Sequence, residues 1–217
     1  MGKKIIPQKD PEHIIRYRLG MRLRTFHWPI DRQAVFDTLE QLRYNEIDTS
    51  DQSINATKSG NAFYFNHPKM VLGFIAKKMD KIISAQKEFF SVVERDHNAN
   101  LLNYMGFYEV EYSSTYHGEQ KNHESLNKTY SDSRDLNKFR ENLGRKVRPH
   151  GVDLVSGENE QNEEKWFRVT VEPKLEGNEK AYFCRTIFRD KVLNNVISDG
   201  KKSSEYIKKI ISELERK

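Results

Sequence analysis

Arg16, Arg18, Arg22 and Arg24 stand at alternate positions of the segment Ile15 to Phe26, with Tyr17, Leu19, Met21 and Leu23 between them. A period of two puts the guanidinium groups on one face of a β-strand and the apolar side chains on the other, with about 7 Å between side chains two residues apart. Such a cationic stripe suits a phosphate backbone, because the guanidinium fork bonds phosphate oxygens directly. Glu109 and Glu111 set a competing chemistry from Asn103 to Tyr116, a second strand rich in aromatic and β-branched residues. Two carboxylates on one strand face can hold a divalent metal, and basic strands around them can hold a triphosphate. If the two strands are neighbours, the same carboxylates neutralise the arginines instead.

Further along, Arg185 and Arg189 share a strand-like segment with Cys184, and Tyr108, Tyr112 and Tyr116 fall on one face of theirs. Rings exposed beside arginines stack bases, whereas rings turned inward fill a core or an interface. The nucleic-acid-binding set expected from the sequence is therefore Arg16, Arg18, Arg22, Arg24, Arg185, Arg189, Tyr108 and Tyr112. His117, Glu119 and His123 share one loop, but their spacing matches no helical metal pattern. Cys184 reads as a structural thiol, since a nucleophile needs a placed base. Gly-rich phosphate loops and the Gly-x-Ser-x-Gly elbow are absent. No catalytic residue, metal or cofactor is expected, save Glu109 and Glu111 in the metal-dependent alternative.

The chain has 217 residues, 36% hydrophobic and 32% charged, with a net charge of +5. Residues 1–28 carry that whole excess, with seven Lys or Arg against two acidic residues, and the remainder is balanced. The 12 Phe, 10 Tyr and 2 Trp are too many for a disordered chain. No window resembles a membrane span or a secretory signal. A single cysteine excludes an intramolecular disulfide and a cysteine-built zinc site. These features describe a soluble, cytoplasmic protein with no membrane partner.

The positioning elements follow from periodicity. After the arginine strand, Asp31 is placed to cap a short helix through Val35, Phe36, Leu39 and Leu42. Residues 48–61 are polar and read as a loop. Ala62 to Asn66 and Met70 to Ala76 read as strands joined at His67-Pro68, followed by an amphipathic helix from Lys77 to His97. In the second half, a polar loop over 117–134 precedes a helix over 135–143. A short strand over 152–155 and an acidic turn over 157–164 follow. Trp166 to Glu172 and Ala181 to Arg189 form a hairpin about Leu175 to Asn178, and a final helix starts near Ser203.

Both halves thus run strand, short helix, strands, long helix. The expected fold is α+β: a mainly antiparallel curved sheet with helices packed on one face, built from two similar halves, 1–98 and 99–217. A sheet covered on one side leaves its other face to solvent or to a partner. This element order resembles the duplicated sheet-and-helix fold of the TATA-binding protein family. The resemblance implies a saddle-shaped sheet with helices on its convex side. That family enters the DNA minor groove through an apolar concave face with Phe wedges. Here the corresponding strand carries Arg16, Arg18, Arg22 and Arg24, so the family's contact residues do not transfer. The expected function is non-catalytic binding of nucleic acid, another polyanion or a protein partner through the basic sheet face. The alternatives are a metal-dependent phosphohydrolase resembling the triphosphate-tunnel enzymes, using Glu109 and Glu111 with basic strands including Arg168 and Arg185, and an oligomeric scaffold whose sheet face joins copies of the chain.

Overall fold

The computed structural model describes residues 16–24, 27–118, 121–130, 138, 141–142, 150–156, 165–174 and 180–216. The basic residues before Arg16, the acidic turn over 157–164, the turn over 175–178 and most of the helix expected over 135–143 lie outside them. In chain order the elements are β1 (Arg16–Leu23), α1 (Arg32–Gln41), β2 (Asn45–Thr49), β3 (Ser53–Lys58), β4 (Asn61–Asn66), β5 (Val71–Ala76) and α2 (Met79–His97). A 3-10 turn (Leu101–Tyr104) leads into β6 (Met105–His117), then α3 (Asn122–Tyr130), β7 (Val152–Val155), β8 (Trp166–Pro173), β9 (Ala181–Asp190) and α4 (Leu193–Arg216).

Alternation in β1 works as its sequence dictates: Leu19, Met21 and Leu23 are buried while Arg16, Arg18 and Arg22 are exposed. The nine strands form one sheet in the order β2-β3-β4-β5-β1-β6-β9-β8-β7, and every pairing is antiparallel. The fold is therefore α+β. The halves meet where β1 pairs with β6, each flanked outward by the last strand of its own half. No described helix is long and apolar enough to cross a membrane.

The helices cover the face that the apolar parity defines. Asp31 caps α1 by accepting from the Ala34 amide at 2.7 Å. α2 buries Met79, Ile82, Ala85, Gln86, Phe89, Phe90, Val92 and Val93, and ends at Asn98 in the left-handed conformation. Phe89 stacks on Phe63 at 4.9 Å between centroids and meets Phe74 edge-on at 6.0 Å. Asp190 starts α4 by accepting from the Val192 amide and from the Asn195 side chain. α4 comes so near β6 at Gly200 that a Cβ there would lie 3.0 Å from Met79 and Val110. Tyr17, against Tyr112 at 4.8 Å, packs on both buried clusters: a large one that runs from α1 and α2 across to Val110 and Phe188, and a smaller one about Tyr112, Tyr116, Tyr182 and Ile207.

Three expectations need correction. Residues 48–61 are not a loop but hold the end of β2 and all of β3. Ile54 and Ala56 point inward there, while Ser53, Asn55 and Thr57 lie on the uncovered face, which keeps the composition polar. The polar stretch 117–134 contains α3, held by buried Leu126 and by Asn122 Nδ2 donating to the Ala181 carbonyl at 3.0 Å. α4 starts ten residues before Ser203: its buried line runs Val196, Gly200, Ser203, Ile207, and the two small residues hide the helical period.

Candidate nucleic-acid interface

β1 and β6 set the geometry of the uncovered face. Their register places Arg16 opposite Ser113, Arg18 opposite Glu111, Gly20 opposite Glu109 and Arg22 opposite Phe107. β9 lies on the other side of β6, with Arg189 opposite Glu109 and Arg185 opposite Ser113. The sheet therefore assembles arginines from two strands, β1 and β9, around two carboxylates of β6 between them, and Arg168 of β8 extends the row.

Glu111 is shared. It accepts from Arg185 Nη2 at 2.9 Å and lies 4.0 Å from Arg18 Nη1. Glu109 accepts from both Nε and Nη2 of Arg189, at 3.3 and 2.9 Å. The Arg189 guanidinium also sits 4.5 Å from the Phe107 ring centroid and 4.7 Å from that of Trp166, so two aromatic rings fix it in place. Further out, Arg168 bonds Asp153 through Nε and Nη2 at 2.9 and 2.7 Å. That two-pronged contact holds the Asp153 carboxyl below its usual range.

Arg18 is fixed from its other side too. Gly20 and Gly73 face each other across β1 and β5, and Tyr64 of β4 is opposite Gly73. The Tyr64 ring lies over this glycine notch: a Cβ on Gly73 would fall 2.4 Å from its Cζ, and one on Gly20 2.8 Å from its hydroxyl. Arg18 Nε donates to the Tyr64 hydroxyl at 2.9 Å, with the guanidinium 4.5 Å from the ring centroid. Burial raises the Tyr64 phenol, and the Arg18 charge pulls it partly back.

Arg16, Arg22 and Arg24 are exposed. Among the described residues, no carboxylate lies within 4 Å of any of the three. Arg22 has one aromatic neighbour, Phe107, at 5.9 Å. Arg24 stands past the end of β1, after the register shift between Arg22 and Leu23, and its Nε donates to the Met105 carbonyl at 2.7 Å. The two strands are neighbours, and the neutralisation anticipated for that case holds for Arg18 and extends to Arg185 and Arg189, because the register brings Glu109 and Glu111 to them.

Tyr108 and Tyr112 also need correction. They are 6% and 2% exposed and belong to the helix-side core, where the Tyr112 and Tyr116 hydroxyls bond each other at 2.7 Å. They cannot stack a base on the opposite face. The rings on that face are Tyr64, Phe107, Trp166 and Phe183, and Phe183 is 42% exposed. Strand parity could have found them, since Phe107 shares the parity of Glu109 and Phe183 that of Arg185. Cys184, on the opposite parity, is buried, and burial pushes its thiol up.

For the metal-dependent alternative, Glu109 and Glu111 would have to release their guanidinium partners before meeting a cation. Among the described residues, no group of three His, Cys, Asp or Glu side chains could hold a metal ion. No protein-family model matches the chain, and no curated protein matches it in sequence.

Proposed function

We propose that this is a non-catalytic binding protein that contacts the phosphate backbone of a nucleic acid through the uncovered sheet face. One observation carries the reading: Arg16 and Arg22, three pleat repeats apart on β1, stand exposed with no carboxylate partner among the described residues. The neighbouring carboxylates hold Arg18, Arg185 and Arg189. Phosphate must compete with those carboxylates for the held arginines, but not for Arg16 and Arg22. Arg24 extends the contact past the strand end, and Phe183 supplies an exposed ring for an unpaired base. The element order and the central β1–β6 pairing support a duplicated, TATA-binding-protein-like plan. The charged face supports backbone contact rather than apolar wedging into a groove.

The test is binding of mixed-sequence single-stranded DNA, single-stranded RNA and duplex DNA to the full chain across a salt series. Affinity should fall with log salt at about 0.7 per phosphate contact for single strands and about 0.9 for duplex. Binding that ignores salt, or no binding to any of the three, removes the proposal.

A further inference from the structure

The helix-side face of the sheet is closed unevenly. In the first half, Ile54, Ala56, Phe63 and Phe65 of β3 and β4 are each 1% exposed. In the second half, Leu154 of β7 and Phe167 of β8 remain 47% and 40% exposed on the same face. They border a cavity of about 530 Å³ between the outer strands and α4. That volume falls within the range of small-molecule sites, about 300–1,000 Å³.

One wall is a continuous row of rings. Phe167 meets Phe188 at 6.1 Å between centroids, and Phe188 meets Tyr206 of α4 at 5.8 Å. Val169 and Ile210 complete the apolar lining. The charged lining residues are Lys165, Lys209 and Asp199. Lys165 precedes Phe167 and Val169 on the same strand parity, and Lys209 lies one turn beyond Tyr206 on α4. Among the described residues, neither lysine is within 4 Å of a carboxylate, so Asp199 leaves the rim one positive charge in excess.

The geometry points to a binding site for an anionic amphiphile, a molecule with an apolar chain or ring and one carboxylate-like head. The apolar part lies along Phe167, Phe188 and Tyr206, where its burial supplies the affinity. The head meets a lysine at the rim, which selects an acid over its neutral counterpart. The site is on the opposite face from the arginines and stands or falls independently of them.

The experiment is calorimetric titration of the full chain with dodecanoate and with dodecanol, both below their aggregation limits. Dodecanoate should bind saturably, one per chain, and more tightly than dodecanol. Phe167→Asp, at a position already exposed, should abolish both. Lys209→Glu should weaken dodecanoate about tenfold, the equivalent of one charge-assisted contact, and leave dodecanol within about twofold. Lys209 is the sharper probe because Glu163 and Glu164 adjoin Lys165 in sequence. Near-UV circular dichroism of each variant establishes that it is folded. Non-saturable uptake, equal affinity for acid and alcohol, or a folded Lys209→Glu chain that binds dodecanoate as before would each overturn the assignment.

Discussion

Two groups of arginines share one sheet face and differ in what stands beside them. On β1, Arg16 and Arg22 lie opposite Ser113 and Phe107. Around β6, Arg18, Arg185 and Arg189 converge on Glu111 and Glu109. The residues are chemically identical, and all sit on strands of similar parity. Register alone decides which of them offers an uncommitted charge. A one-residue slip of β6 against β1 would carry Glu109 and Glu111 to the helix side and strip the second group of its carboxylates. Counting basic residues on such a face therefore overstates its capacity to hold an anion.

The most disruptive way to attack the committed group is at the glycine notch. Gly73→Ala places a Cβ against the Leu19 carbonyl and the Tyr64 ring, both at 2.4 Å. We expect a loss of about 3 kcal/mol in urea unfolding, since neither backbone nor ring can yield without moving a strand. A stability equal to the parent would mean that Tyr64 does not lie over the notch. Removing the carboxylates has a milder effect of opposite use. Glu109→Gln with Glu111→Gln releases three guanidiniums, and oligonucleotide affinity at low salt should rise about tenfold, one charge-assisted contact or so. Unchanged affinity would mean that those arginines do not face the ligand.

Phe183→Ala should cost single-stranded binding about fivefold, the low end of one base stacked on a ring, and leave duplex binding alone. An equal loss for both would assign the ring to packing. The smallest effect concerns the outermost pair. The folded-state pKa of Asp153 is depressed by Arg168, so its contribution is present above the ordinary carboxylate value of 3.8 and lost as pH falls through the folded value. The pair is exposed and contributes at most about 1 kcal/mol. A carbon-detected titration of Asp153 should show a midpoint below 3.8 that moves up toward the ordinary value in Arg168→Ala, and an unmoved midpoint would mean that Arg168 does not hold the carboxylate.

The strands with strict alternation were readable from the sequence, and so were α2 and the cap at Asp31. The misreadings have a shared cause. β2 and β3 lie at the sheet edge with one face uncovered, so their polar composition mimics a loop. α4 opens with small residues where it touches β6 and α2, and Gly200 and Ser203 do not register as apolar. The candidate site shows a different failure. Glu109 and Glu111 can meet the arginines only if odd positions of that strand face outward. The same parity sends Tyr108 and Tyr112 into the core and brings Phe107 out, so the correct rings were legible from the strand itself. The pairing of β1 with β6 was not: ladder partners of distant strands are fixed by the whole sheet, and either neighbour satisfies the local pattern.

The central claim is that Arg16 and Arg22, rather than the carboxylate-bound arginines, hold the phosphates. Its most direct test compares salt slopes for single-stranded DNA with Arg16→Ala plus Arg22→Ala and with Arg185→Ala plus Arg189→Ala, each in the full chain. The account predicts that the first pair lowers the slope by about 1.4, two contacts' worth, and that the second changes it by much less. Equal slopes for both variants, or a larger drop for the second, would contradict it.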